Sequence, residues 1–268
     1  MIYRIYRDFI KFLEKIKERE SNKLELYRKY YLDKHFEFLM TYWKSMFSYS
    51  PEKWLYERVN QIKYRDYKFL IVNVKENPPE FIVEDTLRMC RKVSLFDKLP
   101  DVYLFVGFFS SDGATFFFKG SPVIAIGLER FFDFADMKYV VAHEYGHFWF
   151  LSLCKMETKY LWQKILKEGL AFYFTKCVFK NSPLYKILLM HRRKINACIS
   201  QESIIINYVK GNFYKKFDGS YEREINYLSY KLIYDVAKKF SFDVRSLFYE
   251  ASERGELLLK EGLCLLSR

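Results

Sequence analysis

With 268 residues, half of them apolar and 29% charged, the chain has room for a sizeable core and fits one large domain or two small ones. Its formal net charge of +12 is spread along the whole length among acidic residues, so it indicates a lysine-rich solvated surface, and no nucleic-acid partner is expected. The cysteines number five and none stands in a Cys-x-x-Cys pair, which argues against a disulfide framework and favours reduced thiols in the cytoplasm.

The chain carries no signal that would place it in or across a membrane. Its N-terminal run, Met-Ile-Tyr-Arg-Ile-Tyr-Arg-Asp, is too charged for the apolar core of a signal peptide. No apolar run reaches the ~18 residues that a membrane-spanning helix needs. We therefore expect a cytoplasmic protein with no membrane span, while the sequence leaves the oligomeric state open.

The first third of the chain is predicted to be mainly helical. Apolar residues recur at helical spacing through residues 1–66, which predicts two or three helices with a break at Ser50-Pro51. Residues 67–75 are rich in β-branched and aromatic side chains and predict a strand. The helical pattern returns over residues 80–97.

A small sheet is predicted next. Val102–Phe109, Ala114–Lys119 and Pro122–Leu128 are apolar strand candidates, and residues 110–113, Ser-Ser-Asp-Gly, are a turn signal between the first two. Together with residues 67–75 they predict a small mixed or antiparallel sheet of three or four strands. After Asp133 the helical period continues to the end of the chain, so the fold class is α+β, a small sheet followed by a mainly helical half.

The strongest chemical signal is His143-Glu144-Tyr145-Gly146-His147. Residues four apart on a helix share a face, so His143 and His147 can bind one zinc ion, while Glu144 can reach a water bound to it. Asp133 or Asp136 would cap this helix. The flanking residues are apolar on many sides, which predicts a buried helix whose polar side chains need partners. The alternative is two core histidines with ordinary hydrogen bonds.

A catalytic zinc usually has a third protein ligand from another element. Glu168 lies within a second apolar helical stretch, where metal coordination would remove the cost of burying a carboxylate. A salt bridge to a Lys or Arg is the alternative role for Glu168. If Glu168 were not the ligand, the acidic residues Glu157 and Glu129 would be next in line.

The two stretches together resemble the gluzincin metallopeptidases. The His-Glu-x-x-His run is followed about twenty residues later by Glu168-Gly169-Leu170-Ala171-x-Tyr173, which is similar to the Glu-Gly-Phe-Ala-x-Tyr run of aminopeptidase N-like enzymes and to small bacterial predicted zinc-dependent proteases. The resemblance implies that His143, His147 and Glu168 bind zinc and that Glu144 is the catalytic base. It also implies a thermolysin-like catalytic domain at residues 67–268, preceded by an N-terminal helical extension at residues 1–66.

Two weaker matches concern the substrate. In this family an edge strand binds the substrate backbone, and in the aminopeptidases it also carries a Glu that holds the free amine. The corresponding stretch here begins Gly113-Ala114-Thr115 and lacks that Glu. The family also uses a Tyr of a later helix to stabilise the oxyanion, for which Tyr227 fits best and Tyr230 second.

These residues predict zinc-dependent hydrolysis of a peptide bond in a peptide or protein substrate, with Glu144 as general base. Gly146, inside the motif helix, predicts the close approach of another backbone. Three alternatives stay open: a zinc hydrolase of a non-peptide amide or ester, a non-catalytic zinc-binding scaffold, and a basic nucleic-acid-binding protein in which the motif is accidental.

Overall fold

The computed structural model describes residues 1–18, 22–47 and 51–266. The chain forms two compact units. The first comprises Met1–Asp85 and Leu99–Val141, and the second comprises Thr86–Lys98 and Ala142–Arg268. These units are defined by packing, so the predicted division into an extension before residue 67 and a catalytic domain after it stays a prediction.

The N-terminal part is richer in helices than expected. Its described residues up to 66 form four α-helices, where two or three were predicted. Ser50 lies outside the described residues, and a helix begins at Pro51, where the missing N–H of proline costs no hydrogen bond. The α-helices of this part and the next are α1 Tyr6–Glu18, α2 Lys23–Tyr27, α3 Phe36–Met46, α4 Pro51–Gln61, α5 Lys68–Glu76 and α6 Pro79–Ser94.

The prediction of a strand at residues 67–75 is wrong, since these residues belong to α5 and the 3₁₀ turn before it. Tyr67, Leu70 and Ile71 are buried and Val74 is half-buried, which is the i, i+3, i+4, i+7 spacing of a helix face. The β-branched composition concealed this pattern, because a short apolar run fits either period. The helix predicted at residues 80–97 is confirmed as α6, which ends at Ser94, three residues earlier than predicted.

A four-stranded mixed sheet lies in the first unit, in the order β1-β2-β4-β3. The fourth strand is not the predicted one, because the N-terminal residues Ile2–Tyr3 pair in parallel with Val102 and Tyr103. β2 runs parallel to β4, and β3 forms an antiparallel hairpin with β4. The strands are β1 Ile2–Tyr3, β2 Val102–Phe105, β3 Gly113–Phe118 and β4 Ser121–Gly127.

Aromatic side chains fill the core of the first unit. The ring of Phe108 packs against Phe9, Tyr27 and Trp43, with ring centroids 5.6–6.1 Å apart. This packing accounts for part of the high aromatic content, because aromatic pairs stabilise beyond the area that they bury.

Glu129 fixes the loop that carries Phe108. Its Oε1 accepts hydrogen bonds from the backbone N–H of Gly107 at 2.7 Å and of Phe109 at 2.9 Å. Phe108 and Phe109 both have positive φ, a conformation that costs an L-residue about 1–2 kcal/mol. The buried carboxylate therefore holds a strained backbone segment in place.

The second unit is mainly helical, as the sequence predicts for the half after the sheet. No helix in the part of the chain that the structure describes is long and apolar enough to cross a membrane. All five cysteines are free thiols. The remaining α-helices are α7 Met137–Leu153, α8 Leu161–Val178, α9 Leu184–Ile187, α10 Arg192–Ser200, α11 Glu202–Asn212, α12 Glu222–Lys239 and α13 Val244–Leu265.

The buried Glu129 predicts a pH-dependent stability. Burial raises its pKa to about 7 from the ordinary value of 4.5, although the N–H groups of Phe109 and Gly107 oppose the rise. Between these values the folded chain holds a proton that the unfolded chain has released, so the free energy of unfolding falls as pH rises. Glu129→Gln should remove this fall and be more stable than the parent by up to about 3 kcal/mol above pH 7.

Denaturant unfolding at pH 5, 6, 7 and 8 measures the difference between Glu129→Gln and the parent at each pH. Glu57→Gln, which neutralises an exposed glutamate of α4, is the matched control and should show no such trend. A difference that stays constant from pH 5 to 8 would contradict the prediction.

Candidate metal centre

The helix α7 carries the His-Glu-x-x-His motif and is buried along most of its length. Every residue from Tyr139 to Leu151 is buried, which confirms the predicted apolar surroundings of the motif. Asp133 is the cap at its approach, since its Oδ1 accepts from the N–H of Ala135 at 2.8 Å and starts a 3₁₀ turn that leads into α7 at Met137. His143, Glu144 and His147 are all about 5–6% exposed.

Glu168 lies on α8, which crosses α7 at very short distance. A Cβ atom at Gly146 would lie 2.8 Å from the Cα of Ala171, so only glycine allows this approach. On the other side of α8, a Cβ at Gly169 would lie 2.4 Å from the backbone oxygen of Ser229 on α12. The predicted close backbone contact at Gly146 is confirmed, and it places the face of α8 that bears Glu168 against the motif.

Three side chains converge on one point between α7 and α8. The Nε2 atoms of His143 and His147 lie 3.1 Å apart. Oε2 of Glu168 lies 3.3 Å from Nε2 of His143, and Oε1 of Glu168 lies 3.6 Å from Nε2 of His147. Two imidazole nitrogens and a carboxylate thus face each other in a buried place, where their lone pairs need a shared cation or protons.

These separations fit a zinc ion. Ligand atoms at ~2.0–2.1 Å from a tetrahedral zinc stand about 3.3–3.4 Å from each other. The three separations lie on both sides of this value, so the residues could bind zinc without any movement of the backbone. Two histidines and one glutamate are also the donor set of several catalytic zinc sites, which keep a fourth position open.

Glu144 is the fourth polar residue of the centre. A carboxylate oxygen of Glu144 and ring nitrogens of the two histidines all lie within 4.8 Å of one another. Being adjacent to His143 on the helix, Glu144 is turned about 100° from it. It is therefore close to the metal position without being in line with the pair of histidines.

Charge around the centre favours an ionised Glu168 and neutral histidine. Burial would raise the pKa of the Glu168 carboxyl, but the Lys164 ammonium, whose Nζ lies 3.1 Å from Oε1, and hydrogen bonds from the histidines hold it well below its usual range. Burial lowers the pKa of His147, which favours the neutral imidazole that metal binding requires. The salt bridge considered as an alternative role for Glu168 thus exists, alongside its contacts with both histidines.

The histidine rings are held by packing. The ring of Phe172, from α8, lies 4.3 Å from the ring of His143 between centroids. Both Nδ1 atoms are buried and have no hydrogen-bond partner among the described residues. Ring orientation therefore depends on apolar neighbours and not on the acceptors that zinc-binding histidines usually have on their far side.

Tyr227 and Tyr230 lie on α12 in a buried cluster that also contains Phe172. The hydroxyl of Tyr227 donates to Oε2 of Glu202 at 3.2 Å, and burial raises its pKa. Burial raises the pKa of Tyr230 to about 12. In this structure the Tyr227 hydroxyl is therefore a hydrogen-bond donor to Glu202. The role of Tyr227 in stabilising an oxyanion stays a prediction.

The predicted substrate-binding residues lie in the first unit. Gly113, Ala114 and Thr115 begin β3, an edge strand that pairs only with β4 among the described strands. The carbonyl oxygen of Gly113 accepts a hydrogen bond from the Ser111 hydroxyl, and binding of an extended substrate along β3 stays a prediction. The two reserve ligands are placed otherwise: Glu157 is exposed between α7 and α8, and Glu129 binds Gly107 and Phe109 as described above.

The sequence reading missed two lysines of this centre. Lys164 contacts Glu168, and its Nζ also lies 3.7 Å from Glu222 at the start of α12. Lys167 is half-buried one turn after Lys164, and burial lowers its pKa although the charges of Glu168 and Glu144 oppose the fall. The four-residue spacing of Lys164 and Glu168 could have predicted their contact, because residues four apart face each other on a helix.

Comparisons with models of known protein families, with curated proteins and with solved structures found no match to this chain.

The crossing of α7 and α8 predicts a severe effect of one methyl group. Gly146→Ala should lower the free energy of unfolding by about 1–3 kcal/mol, because the new Cβ forces the helices apart. It should also weaken zinc binding, because Glu168 would move away from both histidines. Denaturant unfolding and zinc titration measure the two effects.

Gly211→Ala is the matched control. Gly211 lies on α11 with open space around its Cβ position, so the change should raise stability by up to about 0.5–1 kcal/mol and leave zinc binding unaltered. If both variants behaved alike, the close contact at Gly146 would not control the centre.

Proposed function

We propose that this protein is a zinc-dependent metallopeptidase that hydrolyses peptide bonds. The observation that carries the proposal is the meeting of the His143 and His147 Nε2 atoms with the Glu168 carboxylate at 3.1–3.6 Å. Glu144 adds a carboxylate beside them, which a purely structural zinc site would not need. This residue favours a catalytic site over a non-catalytic scaffold.

His143, His147 and Glu168 would hold the zinc ion. When bound, zinc lowers the pKa of a coordinated water and polarises the scissile carbonyl. Glu144 would accept a proton from the attacking water and deliver it to the nitrogen of the leaving amine. The buried walls of α7 and α8 would exclude bulk water and strengthen these interactions.

The other roles rest on the resemblance to the gluzincins. We propose Tyr227 as the residue that stabilises the oxyanion, which requires its hydroxyl to leave Glu202. Backbone groups of Gly113, Ala114 and Thr115 would bind an extended substrate by strand addition. The proposal includes a thermolysin-like arrangement of the catalytic core and, from the free cysteines, a cytoplasmic location.

The two glutamates should have separable roles. Glu144→Gln keeps the shape of the side chain and removes the base, so turnover should fall ~10²–10⁴-fold while one zinc per chain stays bound. Glu168→Ala removes a ligand, so zinc should bind much more weakly and zinc should no longer raise the thermal midpoint. Cleavage of an internally quenched peptide measures turnover, and elemental analysis and thermal unfolding with and without zinc measure metal binding in both variants.

Glu157→Ala is the control, because it removes an exposed glutamate from the connection between the same helices. It should keep zinc and activity. If Glu168 served only Lys164, its loss would lower stability and leave zinc content intact, and the third ligand would have to be reassigned.

Aminopeptidase activity should be weak or absent. Thr115 and its neighbours Phe116 and Phe117 stand where an amine-binding glutamate would be required. An internally quenched peptide with a blocked N-terminus should therefore be cleaved faster than chromogenic anilides of free amino acids. Faster cleavage of the anilides would show that the free amine is recognised by other residues.

A further inference from the structure

Two lysines lie beside the acidic residues of the metal centre. Lys164 and Lys167 precede Glu168 by four residues and by one, so all three lie on neighbouring positions of one side of α8. The side chain of Lys164 is only 20% exposed, and Lys167 is also partly buried. Partly buried ammonium groups act strongly on their surroundings, because water screens them less than surface charges.

The Lys164 ammonium lies directly beside the metal position. Its Nζ and Nε2 of His147 contact the same atom, Oε1 of Glu168, at 3.1 and 3.6 Å. A metal bound by Glu168 would share the carboxylate whose negative charge neutralises Lys164 in this structure. Part of the positive charge of Lys164 would then be uncompensated. The other carboxylate near Lys164, that of Glu222, lies 3.7 Å away and is 58% exposed, so it is a weak substitute.

Lys167 has no close counter-ion in the part of the chain that the structure describes. No carboxylate lies within 4.0 Å of its Nζ in residues 1–18, 22–47 and 51–266, and the acids that act most on its charge are Glu168 and Glu144. With a divalent ion bound by neutral histidines, the charges of Glu144 and Glu168 would balance the metal. The two ammonium groups would then remain in excess.

We infer that Lys164 and Lys167 form a carboxylate-binding subsite beside the metal, so that the protein acts on peptides with a carboxylate close to the scissile bond. A carboxylate of the substrate would supply the missing negative charge and accept hydrogen bonds from both ammonium groups. Its source is either the α-carboxylate at the end of a peptide or the side chain of Asp or Glu. This inference rests on the proposed function for the reaction, but the charge argument concerns binding alone.

A binding experiment tests the subsite without turnover. Calorimetry with the zinc-loaded protein compares succinic monohydroxamate, which carries a carboxylate, with the neutral butyryl hydroxamate. The acidic compound should bind about tenfold more tightly. Lys167→Met should abolish the difference while zinc content stays unchanged, and Lys194→Met, which removes an exposed lysine of α10, should preserve it. Lys164→Arg keeps the positive charge beside Glu168, so this variant should keep the preference for the acidic compound.

A kinetic experiment identifies the source of the carboxylate. An N-acylated dipeptide with a free α-carboxylate is compared with its amide and with an amide whose second residue is Glu. One of the two acidic peptides should have a kcat/KM about tenfold above that of the neutral amide, mainly through KM. Lys167→Met should reduce this advantage.

The outcomes separate the subsite from the reaction. Equal or tighter binding of the neutral hydroxamate overturns the subsite, and so does equal or faster cleavage of the neutral amide, even where peptides are hydrolysed. Tighter, Lys167-dependent binding of the acidic hydroxamate without cleavage of any peptide supports the subsite and overturns the proposed function.

Discussion

The close approach of α7 and α8 at Gly146 and Ala171 is the constraint on which the metal centre depends. A zinc site requires ligand atoms about 3.3–3.4 Å apart. Histidine and glutamate side chains are short, so they reach this separation only from helices that are nearly in contact. Gly146 provides the contact on one face of α8, and Gly169 provides it towards α12 on the other. Glycine costs each helix about 1 kcal/mol relative to alanine, and this cost is offset by the convergence and packing that it permits.

The same packing decides how the buried charges are compensated. Glu168 is surrounded by His143, His147 and Lys164, so its ionised form is favoured within an apolar helix pair. Glu129, in the first unit, is compensated differently, by hydrogen bonds from two backbone N–H groups. Two backbone donors do not overcome the cost of desolvation, and its pKa rises to about 7. The difference between the two glutamates is therefore the presence of cationic partners. Glu168 has them and is held in the ionised form that binds a metal, whereas Glu129 has a raised pKa and supports the backbone of its loop.

The function proposed here follows from the site and not from the fold, because no family or solved structure matches the chain. In the proposed reaction His143, His147 and Glu168 would hold the metal, and Glu144 would be the base beside it. The proposed subsite of Lys164 and Lys167 would add a preference for substrate charge, which the His-Glu-x-x-His motif alone does not contain.

Local spacing alone determined the motif helix, its burial, the helix that carries Glu168 and the strands β3 and β4, because each depends on residues close together in the chain. Residues 67–75 were misread, because their β-branched composition concealed a helical face that packs Leu70 and Ile71 into the core. Only the tertiary structure decided that Ile2–Tyr3 completes the sheet beside Val102, and that the Tyr227 hydroxyl bonds Glu202. It also decided that the Glu168 carboxylate meets both histidines. Such pairings join residues that are distant in sequence. Which residues pair depends on packing across the whole unit, and this packing cannot be predicted from a local hydrophobic period.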